Sequence, residues 1–295
     1  MAIQRNNERQ KSELDSLFEN VGLYRKSSDY MGLLNFVKKF PMLAPYNAFL
    51  LHVQKPGSVY VETESGWRKY HNRTVKTGAR PLVLLKPFGP VKFVYDISDT
   101  EGPEDERYNR LLHPFDAKII EDPGRIWEMT DELRTRIKAD GILCTGVATF
   151  GSGCTGSIKV EKDDHPSYLS YGKFTIRHKY SIQLNSVCDL GTQVATLLHE
   201  LGHLYCGHLG SPDTNRWPSR TGLSTNEKEF EAESVSWLIC RRMGIRNPSE
   251  KYLSMYVENN STIPNISIDA VLKAVGLIED RMYRWVSPCK LLVLK

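Results

Sequence analysis

Long apolar runs are absent from this 295-residue chain. A membrane-spanning helix needs about 20 consecutive, mostly apolar residues, and no stretch of the sequence approaches that length. The first ten residues also lack the apolar segment that a secretory signal peptide requires. We therefore expect a cytoplasmic protein that has no membrane partner.

A large excess of one charge is absent as well. The chain has 39 Lys and Arg residues against 35 Asp and Glu residues, so its formal net charge is only +4. This balance excludes a protein that attracts polyanions over its whole surface. Any site for nucleic acid must instead come from a local cluster of cations.

Paired cysteines are the third absence. The six cysteines include no C-x-x-C pair, and their wide spacing does not predict a disulfide framework. Each is expected to be a small buried hydrophobic residue. Because a thiolate binds zinc well, Cys144 and Cys154 are the alternative candidates for an inhibitory ligand that blocks a metal.

The hydrophobic pattern changes along the chain and predicts two domains. The first part opens with helical patterns, and the runs 81–85 and 91–95 then predict the two strands of a hairpin. The polar stretch 98–109 marks the boundary. The second part combines a helix and short strands with predicted helices at 190–206, 226–243, 248–257 and 267–284. These elements predict an α+β protein with domains at 1–115 and 116–295.

The strongest chemical signal is the sequence His-Glu-Leu-Gly-His at residues 199–203, inside an apolar run. Residues four apart lie on one face of a helix, so His199 and His203 can bind one metal ion. Two neutral imidazoles and a carboxylate suit Zn2+, with a fourth position left open for water. Glu200 is then placed to accept a proton from that water as the general base. An amphipathic helix with solvated histidines is the alternative.

A third ligand is needed, and the following helix offers four glutamates. Glu231 is favoured because it lies in line with Val235 and Leu238, at i+4 and i+7, on the expected inner face. The others are more typical of solvated helix acids and remain alternatives: Glu227, Glu229 and Glu233.

The segment 173–184 alternates well enough to predict a half-exposed strand. Peptidases with this metal motif commonly bind the substrate as an added strand along such an edge. A plain sheet strand without this role is the alternative.

A basic stretch lies between Ser65 and Tyr95. It contains seven Lys or Arg residues and neither Asp nor Glu, with aromatic residues interleaved. Cations that follow a backbone, with aromatic rings for bases to stack on, are typical of single-strand binders. A solvated basic face over ordinary core aromatics is the alternative. The residues predicted to contact single-stranded DNA are Trp67, Arg68, Lys69, Tyr70, Arg73, Lys76 and Arg80.

Two segments around the histidines resemble the ImmA/IrrE family of zinc metallopeptidases. They are His-Glu-Leu-Gly-His-Leu-Tyr-Cys-Gly-His-Leu-Gly at 199–210 and Glu-Phe-Glu-Ala-Glu-Ser-Val-Ser at 229–236. The resemblance implies a zincin-like, gluzincin-type metalloendopeptidase domain with Glu231 as the third zinc ligand. It also implies a protein substrate, because members of that family cleave helix-turn-helix repressors and so release an operon.

The N-terminal part resembles the ArdC antirestriction N-terminal domain, a helical single-stranded DNA binder. The matching segments lie at 67–70, 76–81, 86–90 and 95–102. Together the resemblances imply a zinc endopeptidase, activated by single-stranded DNA, that derepresses an anti-phage or stress operon. The alternative is an antirestriction-type DNA-binding protein with a non-catalytic zinc site.

Overall fold

The computed structural model describes residues 24, 26–86, 89–113, 118–148, 155–162, 164–246, 253 and 262–294. These residues form a mixed α+β fold with eight α-helices and four small sheets, which confirms the predicted α+β class. Met31–Ala117 is a small compact unit, and the described residues on either side of it form a large unit. The described residues before Met31 therefore group with the large unit, whereas the sequence placed them in the first domain. The described part of the chain has no helix that is both long and apolar enough to cross a bilayer.

The small unit combines short helices with an antiparallel sheet. In that sheet β4 (Gly89–Asp96) lies between β1 (Val61–Glu62) and β3 (Leu82–Lys86), and β3 and β4 form the predicted hairpin. A second pair joins β2 (Thr74–Val75) to β5 (Thr100–Glu101). The elements are α1 (Ser27–Lys38, which crosses the boundary between the units), α2 (Pro45–Gln54), β1 (Val61–Glu62), α3 (Glu64–His71), β2 (Thr74–Val75), β3 (Leu82–Lys86), β4 (Gly89–Asp96), β5 (Thr100–Glu101) and α4 (Glu106–Leu112).

The outer edge of β3 is covered by two side-chain amides from α2. Asn47 accepts a hydrogen bond from the Leu85 N–H at 2.8 Å and donates to the Leu85 carbonyl at 3.0 Å. Gln54 pairs with Val83 in the same way, at 2.8 Å and 2.9 Å. Backbone groups that an edge strand leaves unpaired are thus satisfied by side chains.

The large unit contains a three-stranded mixed sheet, a two-stranded sheet and four helices of 14 to 19 residues among its described residues beyond Ala117. Its elements are α5 (Pro123–Arg136), a 3-10 turn (Ile137–Asp140), β6 (Ile142–Val147), β7 (Gly156–Val160), β8 (Tyr168–Tyr171), β9 (Phe174–Arg177), β10 (Tyr180–Asn185), α6 (Leu190–Tyr205), α7 (Thr225–Met243) and α8 (Ile268–Tyr283). In the three-stranded sheet β10 runs parallel to β6 and antiparallel to β7.

The strand predicted at 173–184 is divided into β9 and β10. Because β10 pairs with β6 on one side and β7 on the other, its backbone has no edge for a substrate. β9 pairs with β8 on one side and exchanges backbone hydrogen bonds with Leu292 and Leu294 on the other. The expectation of a substrate strand at 173–184 was therefore wrong. Among the described strands of this sheet, β7 is the edge on the other side of β10 from β6.

Helices α6 and α7 pack closely, and the sequence explains both their ends and their contact. Asp189 caps α6, and Ser224 with Glu227 forms a capping box at the start of α7. At the contact, a Cβ on Gly202 would lie only 3.0 Å from the backbone of Ala232. Gly202 thus brings the two backbones together beside the paired histidines.

Candidate metal centre

The paired histidines lie side by side on α6. Their Nε2 atoms are 3.1 Å apart, as expected for residues i and i+4 on one helical face. Both imidazoles are largely covered but reach a cavity of about 520 Å³. The helix itself therefore brings the two imidazoles together, as the spacing of the motif predicted.

Glu229 is the carboxylate that the structure brings to this pair. Its Oε2 lies 3.4 Å from Nε2 of His199, and its Oε1 lies 3.5 Å from Nε2 of His203. Tetrahedral zinc with bonds of about 2.0–2.1 Å places neighbouring ligand atoms about 3.3 Å apart. One ligand atom from each of the three side chains lies within 4.8 Å of the others, so together they form a candidate site for one metal ion.

Glu231, the third ligand expected from the sequence, points elsewhere. It is fully buried, and its carboxylate accepts two hydrogen bonds from Arg220, at 2.6 and 2.7 Å, and one from His208 at 2.9 Å. The sequence correctly placed Val235 and Leu238 on a buried face. That face packs into the core. Glu231, which is in line with it, therefore forms an internal ion pair with Arg220 and does not join His199 and His203.

Cys206, His208 and Glu231 also lie close enough together to suggest a metal site. A cation there would have to share Glu231 with the Arg220 guanidinium, which already occupies both carboxylate oxygens. Burial raises the pKa of the Cys206 thiol well above its usual value, so this sulfur stays protonated. These residues are better described as a hydrogen-bonded polar cluster.

Glu233 supports His199 from the side opposite the cavity-facing nitrogen. Its Oε2 is 3.2 Å from Nδ1 of His199, and the residue is buried. Burial opposes a charge on His199, but hydrogen bonds with Glu229 and Glu233 outweigh it and raise the pKa of His199 to about 10. The pKa of Glu229 is held well below its usual range, chiefly by hydrogen bonds with the two histidines. The pocket therefore favours a positive charge, which a metal ion would supply.

Glu200 follows the first histidine and lines the same cavity. Burial raises the pKa of its carboxyl group, while the charges of the two histidines and a hydrogen bond from the Ile158 backbone oppose that rise. A carboxylate with a raised pKa is a better proton acceptor at neutral pH. Its placement suits the predicted general base.

The cavity runs along β7. Thr155 and the first residues of β7 form one wall, and α6 and α7 provide the histidines and glutamates of the other. Gly156 allows this approach, because a Cβ there would lie 2.6 Å from the Thr196 side chain of α6. An edge strand and the candidate metal ligands thus share one groove.

The cysteine predictions have separate outcomes. Cys144 lies on β6 opposite Ile182 and is absent from the described residues that line the cavity. Burial raises the pKa of its thiol to about 11, which leaves little thiolate to bind a metal. The structure therefore gives no support to Cys144 as a blocking ligand. Cys154 lies outside the described residues.

Two of the predicted DNA-contact residues are buried in the small unit. Trp67 is completely buried and donates from Nε1 to the Tyr95 carbonyl at 2.9 Å. Arg73 is buried as well and donates to Thr100 and to the Pro103 carbonyl. These side chains cannot stack on bases or pair with phosphates in this arrangement, because their polar groups are already used inside the fold.

The remaining five predicted DNA-contact residues are exposed, and so is Phe93, an aromatic residue of the basic stretch that was not among the predicted contacts. Tyr70 is 60% exposed, and the Lys69 ammonium lies 5.1 Å from its ring centre. Phe93 on β4 is 54% exposed. Val91, Phe93 and Tyr95 alternate along β4 and so share one of its faces, but an apolar row of this kind predicts a buried face, so the sequence pattern did not mark Phe93 as outward-facing. The exposed cations of the predicted set are Arg68, Lys69, Lys76 and Arg80.

Comparisons of the chain with family models, with curated proteins and with solved structures gave no match. The functional interpretation therefore rests on the geometry of the site and on the motifs in the sequence.

Proposed function

We propose that the protein is a zinc-dependent endopeptidase in which His199, His203 and Glu229 hold the metal. The observation that carries this proposal is the convergence of three side chains: the two histidine Nε2 atoms lie 3.1 Å apart, and the Glu229 carboxylate places Oε2 3.4 Å from Nε2 of His199 and Oε1 3.5 Å from Nε2 of His203. Two imidazoles and one carboxylate are a ligand set that suits zinc. Bound zinc supplies Lewis acidity for the attack of water on a carbonyl group. Glu200 accepts the proton of the attacking water and can return it to the leaving amine.

The substrate is an extended segment of a protein. β7 offers the backbone groups of an edge strand within the groove that holds the ligands, so an added strand would pass across the metal. The resemblance to repressor-cleaving peptidases makes a helix-turn-helix repressor the leading substrate. In this proposal the large unit is the zincin-like domain and its product is a derepressed anti-phage or stress operon.

The decisive experiment compares the wild-type protein with Glu200→Gln, both loaded with zinc. Each is incubated with a proteome-derived peptide mixture and with the helix-turn-helix repressor encoded nearest to its gene, and products are read by mass spectrometry. We expect the variant to keep one equivalent of zinc and to lose about 10²–10⁴-fold in cleavage rate. Equal cleavage by both proteins would contradict the assignment of Glu200.

A second proposed function, binding of single-stranded DNA, is supported by the exposed part of the basic stretch. The stretch contains no acidic residue, Tyr70 and Phe93 present exposed rings, and the exposed Lys69 ammonium lies 5.1 Å from the Tyr70 ring centre. In this proposal the small unit is the ArdC-like domain. Its occupancy by DNA raises the peptidase rate, which requires that DNA bind the active state more tightly than the resting state.

Adding single-stranded oligonucleotide to the zinc-loaded protein tests this coupling. We expect faster cleavage of the repressor than in protein alone, and no such increase with duplex of the same sequence. If the rate without DNA already equals the rate with it, the activation is ruled out. If biological function survives Glu200→Gln, the antirestriction-type alternative with a non-catalytic zinc site becomes the better description.

A further inference from the structure

The second histidine of the pair is linked to a chain of buried polar groups. Nδ1 of His203 lies 3.0 Å from Nδ1 of His208, and Nε2 of His208 lies 2.9 Å from Oε2 of Glu231. Beyond it, Arg220 makes two hydrogen bonds with the Glu231 carboxylate, and the Ser267 N–H donates to the same group at 2.8 Å. His208 and Glu231 are both buried.

The Glu231 carboxylate, at the end of this chain of groups away from His203, determines which nitrogen of each histidine carries the proton. The Glu231 carboxylate only accepts, so His208 must carry its proton on Nε2 and donate it. Nδ1 of His208 is then an acceptor, and Nδ1 of His203 must be the donor. The proton of His203 is thereby kept on Nδ1, which leaves its Nε2 lone pair facing His199 and Glu229.

The geometry points to His208 as a positioning residue that fixes the tautomer and ring orientation of His203 for metal binding, with Glu231 and Arg220 fixing His208 in turn. This inference rests on the proposed metal site. It explains why a fully buried, fully hydrogen-bonded glutamate lies next to the ligands without being one of them. It also separates the two ligands, because His199 is oriented directly by the Glu233 carboxylate, whereas His203 is oriented through a neutral imidazole.

Zinc affinity of the full-length protein measures this role, with zinc alone as the probe and a chelator as competitor. His208→Phe keeps the ring and removes both nitrogens, and we expect zinc affinity to fall about 10–100-fold. His208→Gln keeps an acceptor and a donor and should recover most of the loss. Cys206→Ala is the matched control, since it changes a buried residue of the same cluster that has no hydrogen bond to His203 among those described.

A folded His208→Phe protein with wild-type zinc affinity would overturn the inference and leave the metal site standing. A wild-type protein that binds no zinc would overturn both. A purely structural role predicts that Cys206→Ala and His208→Phe weaken zinc binding equally and that Gln gives no rescue.

Histidine tautomers in the wild-type protein provide a test that does not depend on a variant folding. Long-range ¹H–¹⁵N spectra of the zinc-loaded protein should show His203 protonated at Nδ1 and His208 protonated at Nε2. Observation of His208 protonated at Nδ1 would overturn the inference, because the chain from Glu231 to His203 could then not exist.

Discussion

The paired histidines of the candidate metal centre and the basic stretch of the small unit were both predicted from local sequence, but the structure places every residue as predicted only in the first case. His199 and His203 meet as predicted, whereas Trp67 and Arg73 of the basic stretch are buried. The difference lies in what each pattern specifies. A spacing of four on a helix fixes the direction of two side chains relative to each other. An interleaving of cations and aromatics fixes composition only and leaves the direction of each side chain to the fold.

Glu229→Gln should have the largest effect and tests the metal side of this comparison. Removing the charged ligand should lower zinc affinity by more than about 100-fold, which exceeds the usual effect of residues behind the ligands. Folding stability should change little, since Glu229 is partly exposed. Chelator competition and urea unfolding measure the two quantities.

The matched controls for Glu229→Gln lie on the same helix. Glu227→Gln keeps the capping geometry and should leave zinc affinity unchanged. Glu231→Gln should reduce stability more than Glu229→Gln does. Loss of zinc in Glu231→Gln with retention in Glu229→Gln would restore the ligand assignment made from the sequence.

Arg220→Met should have the next largest effect, this time on stability. It leaves the buried Glu231 carboxylate without its cation, and breaking a buried pair in this way costs about 3–5 kcal/mol. Burial by itself would raise the pKa of Glu231, but the bonds with His208 and Arg220 lower it overall. The stability that a depressed pKa provides is present above the unfolded value and is lost as pH falls through the folded value. The difference in free energy of unfolding between the variant and the wild type, measured in urea, should therefore shrink as the pH falls below about 4.

Gly202→Ala tests how closely α6 and α7 must approach. The new Cβ would meet the Ala232 backbone at 3.0 Å, so overpacking should cost about 1–3 kcal/mol despite the better helix propensity of alanine. Gly32→Ala on α1 is the control, because no atom lies within 4 Å of its added Cβ. There the propensity gain of up to about 1 kcal/mol should appear as stabilisation. Thermal unfolding of both variants would show whether the two signs differ.

Tyr70→Ala and Phe93→Ala test whether the basic stretch binds single-stranded DNA. If these rings stack on bases, each substitution should weaken binding of single-stranded DNA by about 1–3 kcal/mol, measured by fluorescence anisotropy. Affinity should also fall steeply with salt. Binding that is insensitive to both rings, or equal for duplex and single strand, would reduce the stretch to a solvated basic face.

Features that depend on spacing within one helix could be predicted from the sequence, and features that depend on packing between elements could not. Helical spacing predicted α6 and α7 and the ligand pair, because periodicity within one helix is local information. The identity of the third ligand depends on how α7 rotates against α6, and Gly202 and the Glu231–Arg220 pair set that rotation through contacts distant in sequence. The prediction of a substrate-binding edge at 173–184 failed for a related reason, since alternation predicts a strand but does not predict which strands pair with it on either side.

The pairing of Asn47 and Gln54 with the edge of β3 contrasts with the edge strand β7 of the large unit. Two helix side chains close one sheet edge, residue by residue, where a passing chain would otherwise find donors and acceptors. In the other unit, β7 is left as an edge strand beside the candidate metal ligands. Under the proposed function, a protein that captures extended polypeptides at β7 must avoid capturing them, or its own copies, at other strand edges. The two amides would then serve selectivity and solubility from outside the candidate metal centre.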